Sequence, residues 1–513
     1  MMETVLDSTT TQTYYEEEDC SSLIRNLVSE RTLVIASNRG PVTFHKDDRG
    51  ELQVQRGSGG LVTALTGVTQ HTEARWIACA QTEEDRTWSE GWLPSENPDE
   101  KVWMKFITPT ATEYEGYYGA ISNPLLWFLQ HSMWDIFREP TIDRAVWEHW
   151  DQGYVAVNMQ FAQAIAEQIA SAPTRALIML QDYHLYLTPY FIRYQFRPKA
   201  KYTLAHFIHI PWPGAEDWGF LPAKMRQAIL EGLCAVDVLG VQTREDGLNL
   251  LRTCESYLHG AHVSFKRGKV WYRNHATHVR DFPISIDVHG LRQLAETPEV
   301  DDYRHQLLER HGEQKIILRT DRIEPSKNIV RGFQAFDEML ELHPEHRGKV
   351  KFLAMLVPSR LEVEKYGAYL DELMGAAGRV NAKYGDTEWE PIRVLVGENY
   401  LRAIAGLQIY NALLVNSIAD GMNLVAKEGP IVNRRDGVLI LSEHTGAYQQ
   451  LGSGALIVSP LDIYATAEAM HQALIMPAEE RRERSERLRS LIEREDIVDW
   501  LCQQLHTIIK LDL

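Results

Sequence analysis

The chain has 513 residues, 44% of them apolar and 24% charged, which is long enough for two or three domains with cores of their own. A formal net charge of −18 argues against nucleic acid or an anionic membrane surface as the main partner, although a few placed arginines outweigh that field inside a cleft. No apolar run approaches the ~20 residues of a membrane helix, and the five scattered cysteines, without a Cys-x-x-Cys pair, suit a reduced, cytoplasmic protein.

Residues 1–30 read as a flexible acidic tail. Glu16-Glu17-Glu18-Asp19 close its first twenty residues, where a signal peptide would start basic and turn apolar. From there short β-branched or aliphatic runs alternate with helical stretches, the pattern of a parallel sheet built from βαβ units. Strands are expected at 33–36, 176–180, 203–208 and 236–241, then at 316–318, 351–355, 394–396, 412–415, 438–441 and 456–458. A boundary between 283 and 300 divides the series, so two doubly wound α/β lobes are expected, 31–287 and 288–478. Residues 479–513 follow a helical pattern with Leu488, Leu491, Ile492, Ile497, Leu501, Leu505 and Ile508 on one stripe, a helix that must cover part of a lobe.

In open parallel sheets, ligands sit in the crevice beyond the carboxyl ends of the strands. Here those ends read Ser37-Asn38-Arg39, Gln181-Asp182-Tyr183-His184, His209-Ile210-Pro211-Trp212-Pro213, Asp321-Arg322, Pro358-Ser359-Arg360 and Asp420-Gly421. Polar and cationic groups from both lobes would face one cleft, as in a two-lobed transferase. Periplasmic-type binding proteins share that pattern.

Asp420-Gly421-Met422-Asn423-Leu424-Val425-Ala426-Lys427-Glu428 follows a strand, turns at Gly421 and enters a helix. Free N–H groups at such a helix start, with the macrodipole, suit a diphosphate, and Glu428 suits ribose hydroxyls. The bland alternative is that Asp420 caps the helix and Glu428 is a solvated charge. Arg322 and Lys327, both placed in the loop after strand 316–318, are two cations able to neutralise a departing diphosphate; as a surface pair they would do nothing of the kind. No Asp-x-Asp is present to hold a metal on the leaving group, so no metal or other cofactor is expected. Gly57-Ser58-Gly59-Gly60-Leu61 is a flexible loop that either approaches phosphate or merely turns. Arg39, Arg360, Tyr118 and Trp127 have the chemistry to grip a phosphosugar, though each taken singly is as well explained structurally. Asp182 and His209 end strands of the first lobe, where they meet sugar hydroxyls or serve only the loops.

Together these segments resemble the trehalose-6-phosphate synthase family. The resemblance rests on Ser37-Asn38-Arg39, Gly59-Gly60-Leu61-Val62-Thr63-Ala64-Leu65, Tyr117-Tyr118-x4-Asn123-x3-Trp127, Asp182-Tyr183-His184-Leu185 and Phe207 to Pro213. In the second half it rests on Asp321-Arg322-x4-Lys327, Pro358-Ser359-Arg360 and Asp420 to Glu428. It implies a retaining glycosyltransferase of the B-type, Rossmann-like fold, with the last helix crossing back to the first lobe. It implies a nucleotide-glucose donor, glucose 6-phosphate as acceptor and α,α-trehalose 6-phosphate as product, with no enzyme nucleophile: front-face attack, the leaving phosphate taking the acceptor's proton.

By the same resemblance Arg322, Lys327, Gly59, Gly60 and the backbone of Leu424 and Val425 hold the diphosphate, with Asn423, Ala426 and Lys427 in the same donor segment. Glu428 takes the ribose, Asp420 and His209 the donor glucose, and Glu398 lies by the base. Arg39, Tyr118, Trp127, Asp182 and Arg360 map to the acceptor side. Arg322, Lys327, His209 and Asp420 carry the catalytic roles.

Several positions depart from the commoner family pattern: Trp76-Ile77-Ala78-Cys79 for Gly-Trp-x-Gly, Ser285 for glycine, Glu324-Pro325-Ser326 for Asp-Tyr-x, and Ala419 for arginine. The wording around Arg322 looks like actinobacterial-type members. The nucleotide (UDP, GDP or ADP) and the oligomeric state, homo-oligomer included, stay open. So do two other readings: a sister transferase such as a glucosylglycerol-phosphate synthase or pseudo-glycosyltransferase, and a non-catalytic sugar-phosphate-binding regulator.

Overall fold

A computed structural model describes residues 31–47, 49–56, 74–93, 101–170, 172, 174–359 and 364–511, without the side chains of Glu364 and Lys365. Gly59, Gly60 and Arg360 lie outside the described residues, as does the tail 1–30.

The aliphatic runs become strands buried on both faces, as parallel sheets covered by helices require. In chain order they are β1 (Arg31–Ala36), β2 (Val42–Lys46), β3 (Leu52–Arg56), β4 (Ala74–Cys79), β5 (Glu90–Trp92), β6 (Val102–Ile107), β7 (Arg175–Gln181), β8 (Tyr202–Phe207) and β9 (Val238–Val241). Then come β10 (His262–Ser264), β11 (Lys269–Tyr272), β12 (His275–Asp281), β13 (Lys315–Arg322), β14 (Val350–Val357), β15 (Ile392–Val396), β16 (Ala412–Val415), β17 (Val438–Ser442) and β18 (Leu456–Val458).

The first sheet runs β10-β11-β12-β9-β8-β7-β1-β4-β6-β5 and the second β15-β14-β13-β16-β17-β18. Neighbours from β12 to β6, and all those of the second sheet, are parallel. Both parallel stretches therefore start from an inner strand, wind outward one way, and then reverse. The reversal falls between β1 and β7 in one lobe and between β13 and β16 in the other, and each opens a crevice at the carboxyl ends. The two Rossmann-like lobes of the α/β expectation are present.

The expected strands recur within a residue or two, except that β13 extends to Arg322. Arg322 is thus the last residue of a strand and not a loop residue. Strands β4 and β6 had no counterpart among the expected ones. Their sequences, ARWIAC and VWMKFI, mix polar and aromatic residues and show neither a continuous aliphatic run nor a clear alternation.

The C-terminal pattern is two helices, Ala478–Arg494 and Ile497–Lys510, because Asp496 starts a new one: its carboxylate accepts from the N–H groups of Val498 and Asp499. The earlier helix lies on the second lobe, where Arg489 donates to the carbonyls of Pro430 and Asn433 at 3.0 Å each. The later one reaches the first lobe: Trp500, buried, packs edge-on against Phe207 at 5.2 Å between ring centres. At the break, the N–H of Ile497 bonds the carbonyl of Ile286 at 3.1 Å, in the extended link between the lobes.

Among the described residues no helix is long and apolar enough to cross a membrane. Cys79, Cys234 and Cys254 are free and buried.

Candidate active site

In the second lobe the site starts from a buried arginine inside an apolar strand. Arg319 is fully buried, and a guanidinium there must be paired. Its partner is two residues along on the same face: Nε and Nη2 donate to Asp321 Oδ2 at 3.0 and 2.8 Å. Nη2 also donates to the carbonyl of Lys327 at 2.7 Å, which fixes the short turn Pro325–Lys327 beyond β13.

That turn delivers the ammonium of Lys327 onto the carboxylate of Asp420, which follows β16. Asp420 Oδ2 also accepts from Ser417 Oγ at 3.2 Å and Asn423 Nδ2 at 3.0 Å. Burial alone would raise its pKa, but Lys327 above all, with His131 and Asn423, outweighs burial and lowers it, so Asp420 is an anion. Asp420 therefore does not cap the following helix. That helix spans Val425–Val432, with Leu424 at its N-cap and no side-chain cap. Asn423 turns the chain into it with φ at 71°, and its Oδ1 accepts from the N–H of Ala426 at 3.2 Å. The first N–H groups of a helix lack intrahelical partners, so the backbone of Leu424 and Val425 is free to meet an anion.

Lys427 and Glu428 diverge. Lys427 is fully buried and its Nζ donates to the carbonyl of Ile284, in the link between lobes, at 2.8 Å. Burial pushes its pKa down to about 7, so only its main chain can serve a ligand. Glu428 accepts from the hydroxyl of Tyr400 at 3.1 Å; burial raises its pKa against that bond. Glu398 is exposed beside Gly397 (φ 140°), ahead of the helix Tyr400–Ile409.

The first lobe contributes rings. Tyr118 and Trp127 share one wide π-type helix, Glu115–Trp127. Tyr118 stacks on Tyr114 (5.4 Å) and on His184 (5.8 Å, planes 9° apart). Tyr183 lies 3.9 Å from His184 and 5.6 Å from Trp127, which also stacks on His131 at 4.0 Å. Asp182, just past β7, takes φ of 71°, a conformation costly to a non-glycine residue and common at functional sites. It is held there from both sides, since its carbonyl meets His206 Nε2 at 2.9 Å and its carboxylate accepts from the N–H of His209 at 3.3 Å. His209 Nε2 pairs with Gln181 Oε1 at 2.9 Å, and burial, then His206, depress its pKa to about 3. Arg39 is exposed beyond β1.

The lobes meet across the cleft. The guanidinium of Arg322 lies 5.5 Å from the ring centre of Trp127, a cation–π distance, while its Nη1 pairs with the buried Glu324 at 3.2 Å. Ser359 Oγ holds that same Glu324 oxygen at 3.1 Å. On the cleft floor the main chains touch, because a Cβ on Gly421 would fall 2.0 Å from the carbonyl oxygen of His209. Arg322, Lys327, Asp420, His209, Asp182, Tyr118 and Trp127 thus line one crevice.

Arg319 and His131 were not singled out from sequence, and Glu324 and His184 were named only within motifs, without a role of their own. Arg319 had a signal, a charged residue within the apolar run IILRT. His131 had none: it is buried against Trp127, its pKa down to about 4 from burial, and it feels the charges of Asp420 and Lys327.

Two doubly wound lobes with facing switch points, one carrying a cationic clamp beside a helix start, define the B-type glycosyltransferase architecture. The model of glycosyltransferase family 20 matches residues 31–510, and the chain belongs to that family. It is 31% identical over 91% of its length to the alpha,alpha-trehalose-phosphate synthase (UDP-forming) of Schizosaccharomyces pombe, covering 88% of that protein. With the probable synthase 2 of Arabidopsis thaliana and the bifunctional trehalose-6-phosphate synthase/phosphatase of Thermoproteus tenax it also shares 31%. It spans only 54% and 63% of those longer chains, and 88% and 93% of itself is aligned.

Among solved structures, a trehalose-6-phosphate protein from E. coli bound with UDP-2-fluoro glucose superposes with a TM-score of 0.80. It is 26% identical, over 93% of this chain and 98% of that one. The Burkholderia xenovorans alpha,alpha-trehalose-phosphate synthase (UDP-forming), in complex with glucose-6-phosphate, gives 0.79 and 26%, over 93% and 99%.

Proposed function

We propose that this chain transfers glucose, with retention, from a nucleotide-glucose to glucose 6-phosphate, forming α,α-trehalose 6-phosphate in the cytoplasm. The observation that carries it is the Lys327–Asp420 pair at the helix start, with Arg322 reaching across to Trp127. On this reading residues 288–478 hold the donor, residues 31–287 present the acceptor, and residues 479–513 return to the first lobe. The named relatives and the two ligand-bound structures support it.

The donor diphosphate sits at the N–H groups of Leu424 and Val425, between Lys327 and Arg322. Glu428 accepts from the ribose, and Asp420 and neutral His209 orient the transferring glucose. Tyr118, Trp127 and Asp182 present the acceptor, with Arg39, and by the family resemblance Arg360, taking its phosphate. The acceptor's anomeric oxygen attacks the anomeric carbon on the face the diphosphate leaves. The carbon–oxygen bond to phosphate breaks, and the acceptor's proton passes to that phosphate oxygen. Two fixed cations stabilise the charge that develops there, so the chemistry needs no metal. The test is to incubate the protein with glucose 6-phosphate and UDP-, GDP- or ADP-glucose, with and without excess EDTA, and identify the product. Trehalose 6-phosphate formed equally in EDTA is expected; strict magnesium or manganese dependence would remove the clamp mechanism. Better use of glycerol 3-phosphate or an aminocyclitol phosphate as acceptor would move the chain to a sister activity.

A further inference from the structure

Away from the cleft, the second lobe carries a histidine cluster that the transferase chemistry does not use. The helix Ile329–Leu342 ends at His343, and the turn Pro344–His346 leads toward β14. These residues lie at the amino ends of the strands, opposite the cleft, which opens at the carboxyl ends. Against them packs the helix Ile463–Ile475, which carries Glu468 and His471 three residues apart on one face. The rings of His343 and His471 stack at 3.6 Å with planes 6° apart. One ligand-type atom from each of His343, Glu345 and His471 falls within 4.8 Å of the other two. We propose that His343, Glu345 and His471 bind a divalent transition-metal ion of the zinc type, clipping the end of one helix to the other.

The surrounding hydrogen bonds fit ligation. His343 Nε2 meets Glu468 Oε1 at 2.7 Å, so Nε2 keeps the ring proton and donates it to that carboxylate, leaving Nδ1 as the lone-pair nitrogen. Nδ1 is the atom that faces Glu345 Oε1, at 3.8 Å, a gap that an ion with bonds of about 2.0–2.2 Å to each can bridge. His471 Nδ1 meets His346 Nε2 at 2.9 Å. With the proton on His471 Nδ1, its Nε2 is left to bind. Each ligating ring thus has its other nitrogen held by a partner, the arrangement by which proteins set the tautomer and aim of metal-bound histidines.

Two imidazoles and one carboxylate suit zinc with a water as fourth ligand, whereas magnesium and calcium prefer oxygen. The rings lie parallel, so capture turns each about its Cβ–Cγ bond. Both are only partly buried and Glu345 is exposed, which leaves room for that rotation.

The full-length protein, stripped with EDTA and dialysed, is titrated with zinc chloride by calorimetry and melted with and without the ion. One saturable site per chain and a zinc-dependent rise in Tm are expected, with no equivalent response to magnesium. His471→Ala and Glu345→Gln should each weaken zinc binding at least tenfold. Glu468→Gln, which loosens the hold on His343, should weaken it about 10–100-fold. Transferase activity of the Glu345→Gln and Glu468→Gln proteins should match the unaltered protein with or without zinc, because the site is remote from the cleft. Absence of a saturable site, or a zinc affinity in His471→Ala and Glu345→Gln unchanged from that of the unaltered protein, overturns the proposal. Should His471→Ala fail to fold, the exposed Glu345→Gln substitution decides alone.

Discussion

At the crevice of the first sheet most working side chains are rings and neutral groups: beside Asp182 and Arg39, Tyr118, His184, Tyr183 and Trp127 form one contiguous run of rings, with His209 held uncharged. At the crevice of the second they are ions: Lys327 on Asp420, and Arg322 on Glu324. The topology is shared, so the difference lies in what each lobe must recognise. A sugar offers flat apolar faces and hydroxyls, which rings and neutral polar groups match without desolvating a charge. A leaving diphosphate offers charge that grows during the reaction, which only fixed cations answer without reorganisation. The same strand order therefore serves shape recognition on one side of the cleft and electrostatics on the other.

The sharpest break in that contrast is removal of the cations. Arg322→Ala should lower kcat by on the order of 10²-fold or more while the fold survives, with a lowered Tm because the buried Glu324 loses its half-exposed cation. Lys327→Ala should lose as much turnover and also cost about 3–5 kcal/mol of stability, since it leaves the buried Asp420 charge without its cation. Normal turnover in a folded Arg322→Ala protein would reduce the ionic side to scaffolding.

Next comes the seam between the lobes. Native Lys427 gives up its proton near pH 7, whereas the unfolded lysine keeps it to about 10.5. Across that window the unfolded state binds more protons, so stability should rise with pH, by on the order of a few kcal/mol. Urea unfolding at pH 7, 8 and 9 should show the rise in the unaltered protein and a flat limb in Lys427→Met. A parallel rise in the variant would assign the effect to other groups.

A smaller effect is expected on the aromatic side. Tyr118→Ala removes the middle of the stack and should raise KM for glucose 6-phosphate about 3–10-fold, with kcat and donor KM little changed. A loss of kcat as large as that of Arg322→Ala would erase the distinction between the two crevices. The smallest expected change is none. With His209 depressed to about 3, it is neutral from pH 5 to 9. The pH profile of kcat/KM should keep its shape in His209→Gln, whatever its height; a limb near pH 6–7 lost in that variant would show that His209 titrates.

Much of this was legible because parallel strands advertise themselves. Runs such as LVIA, ALIML and ALLV bury both faces, and the polar residues that close them mark the crevice. The Lys327–Asp420 pairing was not legible: the two stand in different βα units, and only the adjacency of β13 and β16 brings them together. Nor was the divergence of Lys427 from Glu428, neighbours in sequence whose side chains part because successive helical residues point about 100° apart. Arg319 was readable in principle, as a charge inside an apolar strand with an acid two residues on. The helix break at Asp496 was missed because the apolar stripe continues through it. The loop at Gly59-Gly60 and Arg360 rest on the sequence alone, since both lie outside the described residues.

The contact between Phe207 and Trp500 also sets an order of events as the chain is made. The pocket for Trp500 belongs to a sheet whose last strand, β12, ends at Asp281, so the first lobe can close its sheet long before its final tryptophan exists. Roughly 220 residues separate the end of β12 from Trp500, which at about 5–20 residues per second is on the order of 11–44 s of synthesis. For that interval the nascent first lobe leaves Phe207, beside His209, without the ring that covers it in the finished protein.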